Sequence, residues 1–549
     1  MRRLQRVPLV LGAVAALVLA GGPLASADPS DDGDGHGHSH SGAPELPPSP
    51  PSVVGMPLVG NSDKDGTTNS DLAFYGNYAF SGNYDGFRII DISSPEQPTV
   101  LSDYVCRGAQ GDVSVTRLGD RLMLFVSVDR AQTKASCDGT REGSSADTPL
   151  VAEGGRNYAS FGFEGIRVFD VTNPRRPQYV TAVPTACGSH THTLVPDQRG
   201  RRALIYVSSY PLGSGVTAQA DATAAGGLAC ASPHQKISIV EVTARAPQRA
   251  HLLREEPLSS DSRTYADAVA GNPQAGAFIA CHDITVFMAT MTALGACAGD
   301  AQIWDISDPE NPSASDGERH THIRRPAAGG VRRELAEDAG ADQWEFVHNA
   351  IATYDGRFMA FADETGGGGT AECDGSAEER GGQSENGFYY FYRMVRPGAP
   401  APPLLSRYMI PRPQGTEICV MHNGNVVPTD EGYYLVTAAY QGGDSVVDFT
   451  DPRNPREVAH ADRADDAIGQ ADSWSTYFYN DLAYTNGGLN RRGPTGNRGL
   501  DVAEVFLRDG TRLEGRHLPH LNPQTIESTR ADLRRAQVGQ RAQGADVLP

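Results

Sequence analysis

Histidines recur at one kind of place in this chain, at the start of a short apolar run. His192, His282, His348 and His422 are all placed in this way. Neutral imidazole nitrogen is a ligand for Zn, Cu, Fe and Ni, and such ligands with one open coordination position make a catalytic centre. The four residues are therefore candidate ligands of one transition-metal ion. The alternative is a structural role, in which each imidazole hydrogen-bonds the backbone of a neighbouring repeat.

Acidic and amide residues fill the equivalent places elsewhere. Asp71 and Asp112 precede two further apolar runs, and Asn480 precedes a third. Asp112 is therefore a candidate additional metal ligand. Asp363 and Glu364 end another run ahead of a series of glycines. They are candidate ligands or acid–base groups, although the sequence favours a polar loop start at this point.

Calcium is the less favoured metal. Asn61 to Gly66 resembles the beginning of a calcium loop, but it lacks the glutamate at the twelfth position that would clamp the ion. The sequence therefore favours a transition metal at the histidines and leaves the identity of that metal open.

The eight cysteines indicate an oxidising compartment. Four lie just before candidate first strands and four lie in later loops, and eight cysteines allow 105 connectivities. Pairing between loops that are adjacent in sequence predicts the disulfides Cys106–Cys137, Cys187–Cys230, Cys281–Cys297 and Cys373–Cys419.

The elements that must position these side chains come from a repeat. Each copy is a run of β-branched and aromatic residues, followed by an acid and then by a Ser/Thr/Asn/Asp-Pro pair. The four copies lie at residues 86–95, 165–174, 301–309 and 445–452. The run predicts a buried strand, and the polar residue with proline predicts a tight turn. Two further strands precede each run and one follows it, which predicts four-stranded blades. The first strand of a blade lines the central channel, so the histidines and cysteines should share one face.

These segments resemble the LVIVD-repeat family of secreted β-propeller proteins, over residues 52–507. The resemblance implies an architecture and little about activity. We predict an all-β fold, a single seven-bladed β-propeller closed by an N-terminal strand within Ser52–Val59, since closure removes an exposed sheet edge. Six blades with irregular ends are the alternative.

Both ends of the chain are distinct from the repeats. Residues 1–27 combine early arginines, a 14-residue apolar run and small residues ahead of Ala27, as a secretory signal peptide does. Residues 28–51 form a His/Pro/Gly-rich leader predicted to be disordered, and residues 508–549 form a polar C-terminal tail. We therefore expect a secreted or cell-surface protein with no transmembrane segment after signal cleavage.

Charge and fold leave several functions open. The chain has 67 acidic and 47 basic residues, which argues against a nucleic-acid partner. The leading hypothesis is a binding module that presents its loop-rich face to an extracellular protein, glycan or cell-wall ligand. The alternatives are a metal-dependent enzyme, an oxidoreductase or hydrolase with the histidines at the channel mouth, and a structural envelope protein. Whether the chain is an enzyme stays open at this point.

Overall fold

The computed structural model describes residues 51–534 with several gaps. These gaps are 65, 131–132, 138–162, 198, 211–233, 259–279, 298–299, 315–317, 325–345, 365–386, 413–416, 464–471 and 489–497. The predicted signal peptide and nearly all of the predicted leader lie outside the described residues. No helix in this described part is both long enough and apolar enough to cross a bilayer.

Short antiparallel sheets follow two N-terminal strands, β1 (Ser52–Val54) and β2 (Leu58–Lys64). The strands of each sheet pair in chain order. Sheet 1 consists of β3 (Asn69–Tyr75), β4 (Tyr78–Asn83), β5 (Gly86–Asp91) and β6 (Thr99–Val105); sheet 2 of β7 (Val113–Leu118), β8 (Arg121–Val128), β9 (Gly165–Asp170) and β10 (Gln178–Pro184); sheet 3 of β11 (Thr191–Pro196), β12 (Arg202–Ser208), β13 (Lys236–Thr243) and β14 (His251–Pro257), with a 3₁₀ helix at Pro247–Arg249.

Three further sheets repeat this order of strands. Sheet 4 consists of β15 (Ile284–Phe287), β16 (Thr292–Cys297), β17 (Asp300–Asp305) and β18 (His320–Arg324); sheet 5 of β19 (Val347–Ala352), β20 (Phe358–Asp363), β21 (Tyr389–Arg393) and β22 (Leu404–Tyr408); sheet 6 of β23 (Asn423–Val426), β24 (Tyr434–Ala438), β25 (Asp444–Asp448) and β26 (Arg456–Asp462). The predicted third strands are β5, β9, β17 and β25, each ending in its predicted acid.

The last sheet takes its outer strand from the N-terminus. Sheet 7 contains β27 (Ser473–Tyr479), β28 (Leu482–Gly487) and β29 (Arg498–Ala503), and β2 pairs antiparallel with β29. A short parallel pairing of β27 with β23 joins it to sheet 6 in one nine-stranded sheet. The segment predicted for this role, Ser52–Val59, is shifted, because its first part is β1 and pairs with β26 of sheet 6. Pro57 separates β1 from β2, since proline has no N–H to donate to a sheet.

The first strand of sheet 7 begins earlier than the sequence predicts. Asn480 and Asp481, predicted at its start, adopt φ angles of 49° and 71° and form the turn between β27 and β28. Asn and Asp tolerate this left-handed conformation better than other non-glycine residues. The first strand is therefore Ser473–Tyr479. Its aromatic residues lie ahead of the start that the sequence predicts.

Apolar side chains fill the space between each sheet and the next. Between sheets 7 and 1, for example, Leu72 and Phe74 of β3 pack against Tyr477 and Tyr484. The first strands contact one another in chain order from β3 to β27, and β27 also contacts β3. Each short sheet thus buries both faces against neighbours, as the blades of a β-propeller do.

The segment predicted as a polar tail packs against the first strands. Within it, β30 (His520–Leu521) pairs with β3, and β31 (Thr525–Ile526) pairs with β15. Asn522 lies between them, donates to the carbonyl of Val115 and accepts from its N–H. Residues 530–534 are helical. This segment therefore ties the first strands of sheets 1, 2 and 4 together.

Candidate metal centre

The starts of three first strands and the end of one second strand meet in a shared space. His282 precedes β15, His348 is the second residue of β19, and His422 precedes β23. Glu364 follows β20, whose Asp363 is paired with Val347 in β19. Because the end of a second strand lies beside the start of its first strand in an antiparallel hairpin, Glu364 is brought next to His348.

Three of these residues are arranged to hold one metal ion. Each of His282, His348 and Glu364 offers a ligand atom, and these atoms lie within 4.8 Å of one another. All three side chains are buried. His348 Nε2 lies 3.4 Å from Glu364 Oε2, which is about the separation of two ligands that each stand about 2.1 Å from one tetrahedral ion.

Contacts of the second ring nitrogen orient two of the imidazoles. His422 Nδ1 donates a hydrogen bond to the carbonyl oxygen of Trp474, so its Nε2 is the nitrogen that faces Glu364, at 3.5 Å from Oε1. His282 Nδ1 lies 3.0 Å from Asp283 Oδ1. Ligating histidines in metal sites are held in this way through the ring nitrogen that does not bind the ion.

Burial keeps the central imidazoles in their metal-binding form. It lowers the pKa of His282 and of His348 well below the ordinary value of 6.5, and the neighbouring imidazoles lower the pKa further. Both rings are therefore neutral near pH 7, and a neutral imidazole is the form that binds a metal ion.

The structure places His192 and Asp112 outside this cluster. The two ring nitrogens of His192 lie 2.7 Å from Ser114 Oγ and 2.8 Å from Ser127 Oγ. Asp112 Oδ2 accepts the backbone N–H of His192 at 2.6 Å and lies 3.1 Å from its Nδ1. These two predicted ligands therefore contact each other, and the His192 ring contacts two serine hydroxyls of sheet 2.

His190 occupies the place predicted for His192. Its ring centroid lies 4.6 Å from that of His282. Its Nδ1 lies 2.8 Å from Asp129 Oδ2, and its Nε2 lies 3.0 Å from Gln110 Nε2. His190, His282, His348 and His422 thus form an arc of buried imidazoles, in which successive ring centroids are 4.6, 3.7 and 4.3 Å apart.

Sequence reasoning missed one residue and undervalued another. The Tyr440 hydroxyl donates to Glu364 Oε1, and its ring centroid lies 4.3 Å from that of His422. Tyr440 has no distinguishing motif. Glu364 had a signal, an acid at the end of an apolar run, but the sequence favoured a polar loop start for it.

The disulfide prediction is confirmed for two pairs. The structure contains Cys106–Cys137 and Cys281–Cys297, and the second directly precedes His282. Cys187 and Cys419 are disulfide-bonded as well, and their predicted partners Cys230 and Cys373 lie outside the described residues.

The segment that resembles a calcium loop is largely a strand. Residues 61–64 belong to β2, where the amide of Asn61 donates to Asp501 at 2.6 Å. Lys64 forms an ion pair with Asp103 at 2.8 Å. The side chains of Asn61 and Lys64 are therefore engaged in contacts with neighbouring strands.

Comparison with known families identifies the repeat. Residues 66–105 match the LVIVD repeat, a family of β-propeller repeats. The match spans β3 to β6, so one family repeat corresponds to one four-stranded sheet. No curated protein matches the chain.

Proposed function

We propose that this chain is a secreted seven-bladed β-propeller that acts as a metal-dependent enzyme. In this proposal His282, His348 and Glu364 hold a transition-metal ion at the mouth of the central channel. The observation that carries the proposal is the convergence of these three buried ligand groups within 4.8 Å.

The seven-bladed architecture is supported by contacts at the two ends of the chain. β2 supplies the outer strand of sheet 7, and β27 contacts β3 of sheet 1. The apolar layer between sheets 7 and 1 is built like the layers between the other sheets. A closed ring explains these contacts and leaves no long sheet edge exposed. The disulfides and the signal-like N-terminal sequence support secretion.

Among the described residues the donor set has three members, which supports catalysis more than simple metal storage. Structural zinc sites use four protein ligands, whereas catalytic sites use three and leave a position for water or substrate. Two imidazoles with one carboxylate are shared by zinc hydrolases and by non-haem iron oxygenases. Zinc in this site would favour a hydrolase and iron would favour an oxidoreductase, so the identity of the metal decides between the two.

Metal analysis of the purified mature protein tests the proposal. We expect at least one tightly bound transition-metal ion per chain after dialysis, and its loss in the double variant His282→Ala/His348→Ala. The control is His251→Ala, because His251 is exposed on β14. Protein that binds no transition metal under any loading condition would overturn the proposal.

A binding module is the second candidate function. The disulfide Cys106–Cys137 fastens a loop, and Cys281–Cys297 joins the residue before His282 to the end of β16, which suits a rigid recognition surface. This candidate gains support if the mature protein holds no metal and retains its stability after the histidine substitutions.

A further inference from the structure

We infer that Glu364 bridges two metal ions, one held with His282 and His348 and the other held with His422 and Tyr440. This inference rests on the proposed metal centre and extends it from one ion to two.

The two carboxylate oxygens of Glu364 face different imidazoles. Oε2 lies 3.4 Å from His348 Nε2, and Oε1 lies 3.5 Å from His422 Nε2. Each separation matches two ligands of a single ion, and each uses its own oxygen. This is the arrangement of a carboxylate that bridges two ions.

The second position has a donor set of its own. His422 presents Nε2 because its Nδ1 donates to the carbonyl of Trp474, which can only accept. The Tyr440 hydroxyl already contacts Oε1 of Glu364. A phenol oxygen, an imidazole nitrogen and a carboxylate oxygen thus surround the second position, as two imidazoles and a carboxylate oxygen surround the first.

The backbone of Tyr440 is held in an unusual conformation. Its φ is 44°, a left-handed value that bulky residues rarely adopt. Its carbonyl accepts hydrogen bonds from Gly443 and Ser473, each at 2.9 Å, which fixes the turn after β24. Strained residues of this kind cluster at active sites and ligand clamps.

The two halves of the proposed centre lie side by side, since the ring centroids of His348 and His422 are 4.3 Å apart. Ions in two-metal sites stand about 3.5–4 Å apart. Such sites stabilise both the attacking and the leaving oxygen of a displacement.

The stoichiometry of cobalt binding tests the inference on the full mature chain. We expect the Co²⁺ absorption bands to saturate at two equivalents, and metal analysis after gel filtration to give two ions per chain. His422→Ala should retain one ion, because His282 and His348 remain. Tyr440→Phe, which keeps the ring, should weaken the second equivalent by about 10-fold or more and leave the first unchanged. His251→Ala should bind two equivalents.

The outcomes separate this inference from the proposed function. One ion per chain in the unmodified protein, whether or not His422→Ala removes it, would overturn the bridging role and leave the proposed metal centre standing. No bound ion would overturn both. Circular dichroism of each variant confirms that a lost equivalent does not reflect a lost fold.

Discussion

Replacement of Arg88 by methionine should release the N-terminal strand β2. Arg88 is buried in β5 of sheet 1, and its guanidinium donates to two carbonyls of β2, to Asp63 at 2.7 Å and to Ser62 at 3.1 Å. Because β2 is the outer strand of sheet 7, these bonds join the first sheet to the last. Methionine retains most of the apolar stem and removes only the donors.

The magnitude follows from the number of bonds lost. A hydrogen bond from a charged donor contributes about 1.5–3 kcal/mol net. Burial lowers the pKa of Arg88 to about 10, which shows that holding the charge there is costly, so we take the lower end for both bonds. The free energy of unfolding should therefore fall by about 3 kcal/mol.

Arg167→Met is the matched control. Arg167 is the equivalent residue of the next repeat, is equally buried, and donates to Cys106, Arg107, Thr133 and Lys134 near the first disulfide instead of to β2. Urea unfolding should show a loss for both variants, whereas hydrogen exchange across residues 58–64 should accelerate in Arg88→Met alone. Unchanged exchange in β2, or equal acceleration in both variants, would refute the role of Arg88 in holding β2 against sheet 1.

Three further predictions concern stability. Burial lowers the pKa of His234 to about 4, so between pH 6.5 and 4 the folded state binds fewer protons than the unfolded state. The free energy of unfolding should be at its full value above about pH 6.5 and fall by about 3 kcal/mol toward pH 4. In urea unfolding, the pH-dependent loss of the His234→Gln variant should be smaller by this amount. Serine at both Cys106 and Cys137 removes the disulfide that closes a separation of 31 residues, and the free energy of unfolding should fall by about 4 kcal/mol. A fall below about 1 kcal/mol in urea unfolding would show that this disulfide does not stabilise the fold as expected. Asn522→Ala leaves the N–H and carbonyl of Val115 without their partner and should cost about 2 kcal/mol or more; an unchanged thermal midpoint would show that the C-terminal segment does not stabilise the first strands.

The repeat unit was predictable because its signals are local. Gly86–Asp91 is a β-branched and aromatic run that ends in an acid and a turn, and it forms the third strand as predicted. The predicted start of sheet 7 was wrong because Asn480 and Asp481 suit a turn as well as a strand boundary. The role of the C-terminal segment was not predictable, since β30 and β31 have two residues each, too few to show the alternation of apolar and polar residues that marks a strand.

The candidate site was only partly predictable because it depends on contacts between sheets. His282, His348 and His422 mark strand starts and meet at one end of the first strands, as the repeat implies. His190 and His192 flank the first residue of β11, and the alternation that decides which ring faces the next first strand holds only inside a strand. The place of Glu364 depends on the pairing of β19 with β20, which the residues around it do not encode.

Anomalous diffraction from crystals of the metal-loaded protein tests the proposed metal centre at the level of single atoms. We expect a peak at the absorption edge of the bound metal, with His282, His348 and Glu364 each about 2.0–2.2 Å from it. A fully ordered site without such a peak, in which these side chains contact only one another or water, would show that they do not hold a metal ion.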